Sequence, residues 1–146
     1  GLPVTCFQRS SDKLLAFAVA APSRKLFLPD EPVVVKRVLV IDDGSMVAAA
    51  QLRWVIAHRI WPDAEILVAA EEARELSPRR RAYLTAVAES AGGQVAFAET
   101  GGIEKQVYRC EAICLPGLKP PLRTDWYGQF WLDRIAPNWR GEVLVP

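Results

Sequence analysis

Short apolar runs alternate with longer apolar-periodic segments from residue 33 to the end of the chain. The first run, residues 38–41, consists of valine, leucine and isoleucine and is followed by two acids, a glycine and a serine. Such a run is typical of a strand buried in a parallel sheet. Further strands are predicted near residues 64–70, 94–98, 111–115 and 142–146. The pattern predicts an α/β fold, an open five-stranded parallel sheet with helices on both faces and the Val38 strand at its centre.

Capping residues mark the helices between these strands. Ser45 is placed to cap a helix that extends to Ile60. Ser77 and Pro78 predict the start of a second helix, because proline is favoured at the first helical position, and Gly92–Gly93 predicts its end. Shorter helices are expected at residues 103–109 and 125–135.

The first 32 residues do not share this repeating pattern. Residues 13–20 and 25–28 flank the segment 21–24, whose composition is typical of a hairpin turn. We therefore divide the chain into an N-terminal hairpin extension or linker, residues 1–32, and an α/β domain, residues 33–146. The extension is expected to cover an edge of the sheet, and a linker to an upstream domain is the alternative.

Composition restricts the function classes. With 146 residues, of which 51% are hydrophobic and 24% charged, the chain can bury a core of its own. The formal net charge of +1 gives no general attraction to nucleic acid. No apolar run approaches the roughly 20 residues that cross a bilayer, so direct membrane insertion is not expected. The chain begins with Gly1 rather than methionine, and we expect it to be part of a longer protein.

The three cysteines are Cys6, Cys110 and Cys114, and they have no metal-type spacing. Cys114 lies within an apolar run and is expected to pack as a small hydrophobic side chain in a strand. Reduced thiols and a cytoplasmic location are therefore expected, with an oxidised pair as the alternative. His58 is the only histidine, so a histidine-based metal cluster is not available.

A resemblance to a known family begins at residues 38–45. This segment resembles the opening of universal stress protein domains, where a hydrophobic strand ends in Asp-Gly-Ser and adenine nucleotide lies against the acid. Residues 142–146 resemble the last strand of that family, and residues 111–117 stand where its phosphate-binding strand and loop begin. The resemblance covers about residues 35–146 and implies a HUP-like, flavodoxin-like three-layer sandwich. It implies a site for ATP or AMP at Asp42, Asp43, Gly44, Ser45, Gly117 and Gly128.

The phosphate-binding loop departs from the family pattern. Nucleotide-binding members wrap the phosphates in the backbone amides of a Gly-x-x-Gly loop, which Gly-Ser or Gly-Thr follows. Here Gly117 can be the first glycine, but Pro120 holds the second position, and Gln129 follows Gly128. Because proline has no N–H and a fixed φ, we expect no bound cofactor. We predict a non-catalytic, universal-stress-protein-like regulatory or protein-interaction module, with an adenine-nucleotide-binding domain as the alternative.

Asp42 and Asp43 also resemble the acidic pair that binds Mg²⁺ in response-regulator receiver domains. Those domains need a third aspartate at the end of a later strand to accept the phosphoryl group. The runs 64–70, 94–98 and 111–115 all end without one. A degenerate receiver domain is therefore a further alternative.

Two groups of residues are candidates for binding a protein partner or a second copy. Arg79, Arg80 and Arg81 fall in the first turn of a helix, where cations oppose the helix dipole. They are expected to form a solvated face balanced by the acids of residues 71–75, or a docking patch for an acidic partner. Trp126 and Tyr127 lie at the edge of a proline-rich loop. Aromatic side chains there suit either core packing or a contact with a partner protein.

Overall fold

The computed structural model describes residues 4–8, 23–70, 76–98, 103–116 and 138–146. The strands are β1 (Val4–Gln8), β2 (Arg24–Leu28), β3 (Arg37–Asp42), β4 (Glu65–Ala70), β5 (Ala96–Phe97), β6 (Ala112–Cys114) and β7 (Glu142–Val145). The helices are α1 (Met46–Ala57), α2 (Pro78–Ser90) and α3 (Ile103–Val107). The helix predicted at residues 125–135 lies outside the described residues.

The seven described strands form one sheet in the order β1-β2-β7-β6-β3-β4-β5. The strands from β3 to β7 pair in parallel, and β3 lies between β4 and β6 at the centre of this parallel part. The α/β class and the predominantly parallel sheet are therefore confirmed. The described part of the chain contributes seven strands to the sheet rather than the predicted five, because its N-terminal residues add two.

These two N-terminal strands extend the sheet beyond β7. β2 pairs antiparallel with β7, and β1 pairs parallel with β2. β1 and β7 thus occupy both edges of β2. The predicted hairpin partner, residues 13–20, lies outside the described residues. The second arm of the predicted hairpin is therefore a strand of the main sheet. Its Phe27 is 2% exposed, and this burial is a physical reason for β2 to pair there.

Hydrophobic layers cover both faces of the sheet. In β3, Val38 and Val40 pack toward α1 and α2, whereas Leu39 and Ile41 pack toward α3 and Trp139. All four β3 side chains are at most 2% exposed. A strand buried on both faces needs a continuous apolar sequence, which is the pattern that predicted it.

The helix boundaries follow from local capping. The Ser45 hydroxyl accepts from the Ala48 N–H at 3.1 Å, and the Ser77 hydroxyl accepts from the Arg80 N–H at 3.1 Å. Both predicted N-caps are confirmed. Helix α1 ends at Ala57, before the predicted Ile60, because the chain leaves the helix through Arg59, whose φ is 49°. Among the described residues, no helix combines the length and apolar character that membrane crossing requires.

The three cysteines are free thiols, of which Cys6 is exposed and the other two are buried. Burial raises the pKa of the Cys110 thiol to about 12, and burial also raises the pKa of the Cys114 thiol. Because the thiolate is the reactive form, we expect one fast-reacting thiol in the native protein and all three after unfolding. Absorbance after addition of a disulfide reagent measures both stages. A fast phase that persists in Cys6→Ser would contradict the burial of the other two thiols.

Candidate functional site

The carboxyl ends of β3 and β6 define the place where a ligand site is expected. The chain leaves β3 toward β4 and β5, and it returns on the other side of β3 as β6. In open α/β sheets, ligands bind outside the carboxyl ends of the strands at such a reversal. Asp42 is the last residue of β3, residues 43–45 follow it as a loop, and residues 115–116 follow β6. The sheet therefore places the predicted acids at the edge where the sequence located the site.

Asp42 ends β3 and forms a bidentate ion pair with Arg80 of α2. Arg80 Nε donates to Oδ2 at 3.1 Å, and Arg80 Nη2 donates to Oδ1 at 2.8 Å. The Asp42 side chain is 2% exposed, and the Arg80 side chain is 19% exposed. The hydrogen bond to Asp42 raises the pKa of Arg80. Both carboxylate oxygens of Asp42 are thus bound within the chain by a strong, directional pair.

Arg80 also fixes the start of helix α1. Its Nη2 donates to the Ser45 carbonyl oxygen at 2.8 Å, in addition to its bonds to Asp42. The Ser77 cap and the proline start of α2 bring Arg80 into this position. The predicted counter-charges, residues 71–75, lie outside the described residues, and Asp42 is the ion-pair partner that the structure shows. Arg80 is therefore held inside the chain and is removed from the predicted docking patch.

The other residues predicted for partner binding have different surroundings. Arg79 is exposed, as the prediction requires. Arg81 is half-buried, with its guanidinium 5.5 Å from the centroid of the Phe97 ring. Trp126 and Tyr127 lie outside the described residues.

The turn after Asp42 has a local structural explanation. Asp43 Oδ1 accepts from the Ser45 N–H at 3.0 Å, which closes a side-chain turn. Gly44 has a φ of 81°, a conformation that favours glycine. Ser45 then caps α1. Contacts within the chain therefore explain the presence of Asp43, Gly44 and Ser45 in this turn, and no ligand is needed to explain them. The predicted phosphate-binding glycines, Gly117 and Gly128, lie outside the described residues.

A second polar group at the same edge was not predicted. Gln51 lies on the inner side of α1 and is 1% exposed. Its Nε2 donates to the Leu115 carbonyl oxygen at 3.4 Å, and its Oε1 accepts from Arg24 Nε at 3.0 Å. The Arg24 guanidinium lies 4.5 Å from the centroid of the Trp54 ring. These contacts join the start of β2, helix α1 and the end of β6.

A sequence signal for Gln51 existed. Ala48, Leu52 and Val55 form an apolar stripe at helical spacing, and Gln51 is a polar residue within that stripe. A buried amide needs hydrogen-bond partners, so its position predicts a buried polar contact. Arg24 carried no comparable signal, because it was assigned to a turn.

A groove of ≈ 630 Å³ lies at the opposite edge of the sheet. It is lined by the C-terminal end of α1, by the loops that follow α1 and α2, and by the first residues of β4 and β5. At its border, Trp61 Nε1 donates to Glu142 Oε1 at 3.1 Å. We locate the candidate site at the carboxyl edge, because the strand reversal and the buried polar groups meet there.

Within the part of the chain that the structure describes, no group of three or more His, Cys, Asp or Glu side chains could hold a metal ion. Asp42, one of the two acids of the receiver-like pair, is bound by Arg80. No protein-family model matches the chain, and a search of curated proteins gave no significant match. These two comparisons therefore do not assign the chain to a family.

Proposed function

We propose that the chain is a non-catalytic, universal-stress-protein-like regulatory or protein-interaction module within a longer protein. The observation that carries this proposal is the bidentate pair between Asp42 and Arg80. An acid that binds Mg²⁺ or a ribose must offer an oxygen to the ligand. Both oxygens of Asp42 accept hydrogen bonds from Arg80, and its carboxylate is 2% exposed. Asp42 therefore stabilises the fold. This structural role favours a binding function for the chain over a metal-dependent reaction.

The finer architecture is part of the proposal. The parallel strands follow the order β5-β4-β3-β6-β7, with β3 as the first in the chain and the central one in space. Hydrophobic layers on both faces support a HUP-like three-layer sandwich, whereas the observed strand order differs from the flavodoxin order 2-1-3-4-5. Strands β1 and β2 are then an addition to that sandwich.

We propose a protein partner or a second copy of the chain as the binding partner. β2 covers the outer edge of β7, so two copies could pair through β7 only after β2 is displaced. The first turn of α1 exposes 86% of Met46 and 51% of Val47, and α2 exposes 50% of Tyr83. Met46 and Val47 are neighbours in one helical turn, and neighbouring exposed apolar side chains are suited to a protein contact.

The alternative function is adenine-nucleotide binding, and the strand reversal favours it. Ligands of doubly wound sheets occupy this place, and Asp43 stands beside it at the end of the central strand. In this alternative, Asp43 would contact the base or ribose, and the loop 117–128 would contact the phosphates.

Calorimetric titration separates the two functions. We expect no submillimolar affinity for ATP with Mg²⁺ or for AMP, and no advantage of ATP over inorganic tripolyphosphate. Tripolyphosphate is the matched ligand, because it carries the phosphates without the adenosine. Submillimolar binding that is about tenfold tighter for ATP than for tripolyphosphate, and that Asp43→Asn abolishes, would establish the nucleotide-binding alternative.

A gain-of-function variant provides the positive control for this titration. Pro120→Gly combined with Gln129→Ser restores the family pattern, because the first change supplies a backbone N–H and the second a hydroxyl group. We expect this variant to bind ATP more tightly than the unmodified chain. Equal affinities would contradict the argument that the prolines remove the phosphate site.

A further inference from the structure

Arg24 lies at the same edge of the sheet as the candidate site. β2 pairs antiparallel with β7, and Lys25 is opposite Val145. The first residue of β2 therefore lies beside the carboxyl end of β7. The link through Gln51 to the Leu115 carbonyl oxygen places Arg24 next to the end of β6. An arginine from the N-terminal addition thus reaches the ligand edge of the parallel sheet.

The Arg24 guanidinium is held in a fixed orientation. Its Nε donates to Gln51, whose amide is itself held by the Leu115 carbonyl oxygen. Its Cζ lies over the Trp54 ring, and a cation over an indole face is electrostatically favourable. The group therefore loses little conformational freedom when a ligand binds, which is the basis of preorganised recognition.

In the described part of the chain, no acid forms an ion pair with Arg24. Among the described residues, neither Nη atom of Arg24 makes a hydrogen bond or an ion pair, and its one polar contact is neutral Gln51. Burial lowers the pKa of the half-buried Arg24 guanidinium. Arginine stays protonated at neutral pH, so the positive charge persists. Arg80 at the same edge and Arg37 at the opposite edge differ, because each pairs with a carboxylate.

We propose that Arg24 anchors an oxyanion-binding site at this edge, for the phosphate or carboxylate group of a small molecule. With Nε bound to Gln51, the two Nη groups form the remaining donor pair. That pair matches the two oxygens of a carboxylate or phosphate in a bidentate contact. The anion would compensate the half-buried charge, and Trp54 would hold the guanidinium plane in place. This site goes beyond the proposed function, because it needs neither an adenosine pocket nor a protein partner.

Nuclear magnetic resonance titration of the full chain tests the site. The probes are inorganic phosphate and acetate, each added at constant ionic strength set with chloride. We expect saturable shifts of the Arg24 Nε–H and Trp54 indole N–H resonances, with a millimolar dissociation constant. Saturation by phosphate alone identifies a phosphate ligand, and saturation by acetate alone identifies a carboxylate ligand. Shifts that grow linearly with both anions would overturn the proposal.

Three variants give the matched controls. Arg24→Met is expected to weaken anion binding about tenfold or more, because it removes the charge and retains most of the side-chain length. Arg53→Met, on the exposed side of the same helix as Gln51, is expected to leave binding within about twofold. Arg24→Lys keeps the charge without the planar fork and is expected to bind more weakly than the unmodified chain. If Arg24→Met does not fold, the comparison of Arg24→Lys with Arg53→Met tests whether Arg24 binds the anion. Equal binding by the Arg24 variants and Arg53→Met would overturn the proposal, whatever the outcome with ATP.

Discussion

Arg80→Met is expected to destabilise the protein by about 3–5 kcal/mol, because it leaves a buried carboxylate without its counter-charge. The Asp42 side chain is 2% exposed, so water cannot replace the lost donors without local opening. The variant also loses the hydrogen bond to the Ser45 carbonyl oxygen at the start of α1. The free energy of unfolding from urea denaturation measures the effect.

Two further variants control this measurement. Arg79→Met removes an exposed cation from the same helical turn and is expected to change stability by about 0.5 kcal/mol or less. The double variant Asp42→Leu with Arg80→Met replaces the pair by apolar side chains and is expected to recover most of the lost stability. If Arg80→Met and Arg79→Met have the same effect, the pair does not hold the end of β3. Asp42 would then be available to a ligand, and the proposed function would lose its support.

Local signals predicted much of the fold. The apolar run of β3 and the cap at Ser45 depend on residues within a few positions of each other. The Ser77–Pro78 start of α2 is equally local, because its capping hydrogen bond joins residues three positions apart. A sequence pattern of this length contains the whole interaction, so it could be interpreted without a structure.

The parts that were not predicted depend on contacts distant in sequence. Asp42 and Arg80 are separated by 38 positions, and the sequence instead suggested the nearby acids of residues 71–75 for the arginine cluster. The pairing of β2 with β7 joins opposite ends of the chain. A turn-like composition at residues 21–24 indicated a local hairpin, and tertiary pairing determined where β2 lies. Long-range pairing of this kind leaves little trace in one sequence.

Arg80 and Arg24 both lie at the carboxyl edge, and they differ in one physical respect. Arg80 is paired with a buried acid, whereas Arg24 contacts a neutral amide and an indole ring. A paired cation has its charge compensated within the fold, and a half-buried unpaired cation favours an added anion. The β3 side of the edge therefore has a structural role, and the proposed anion site lies on the β6–β7 side.

Gly141→Ala is expected to destabilise the protein by about 3 kcal/mol, because the added methyl group has no space. A Cβ at this position would collide with the Trp139 ring and with the Glu111 carbonyl oxygen. The ring is held by its N–H, which donates to the Cys110 carbonyl oxygen at 2.9 Å. The Glu111 carbonyl accepts from the Glu142 N–H at 2.9 Å, a contact beside the first pair of β6 and β7. Neither group can move away without losing its hydrogen bond, so the alanine variant would strain the junction between β6 and β7.

Gly44→Ala is the matched control, because it tests backbone strain without a collision. A Cβ at Gly44 has no atom within 4 Å, but φ is +81° there. The left-handed conformation is expected to cost about 1–2 kcal/mol for alanine. Thermal and urea unfolding of both variants give the comparison. Equal destabilisation by the two substitutions would show that Trp139 can leave its position. The inference that rigid packing around Gly141 joins β7 to β6 would then be wrong.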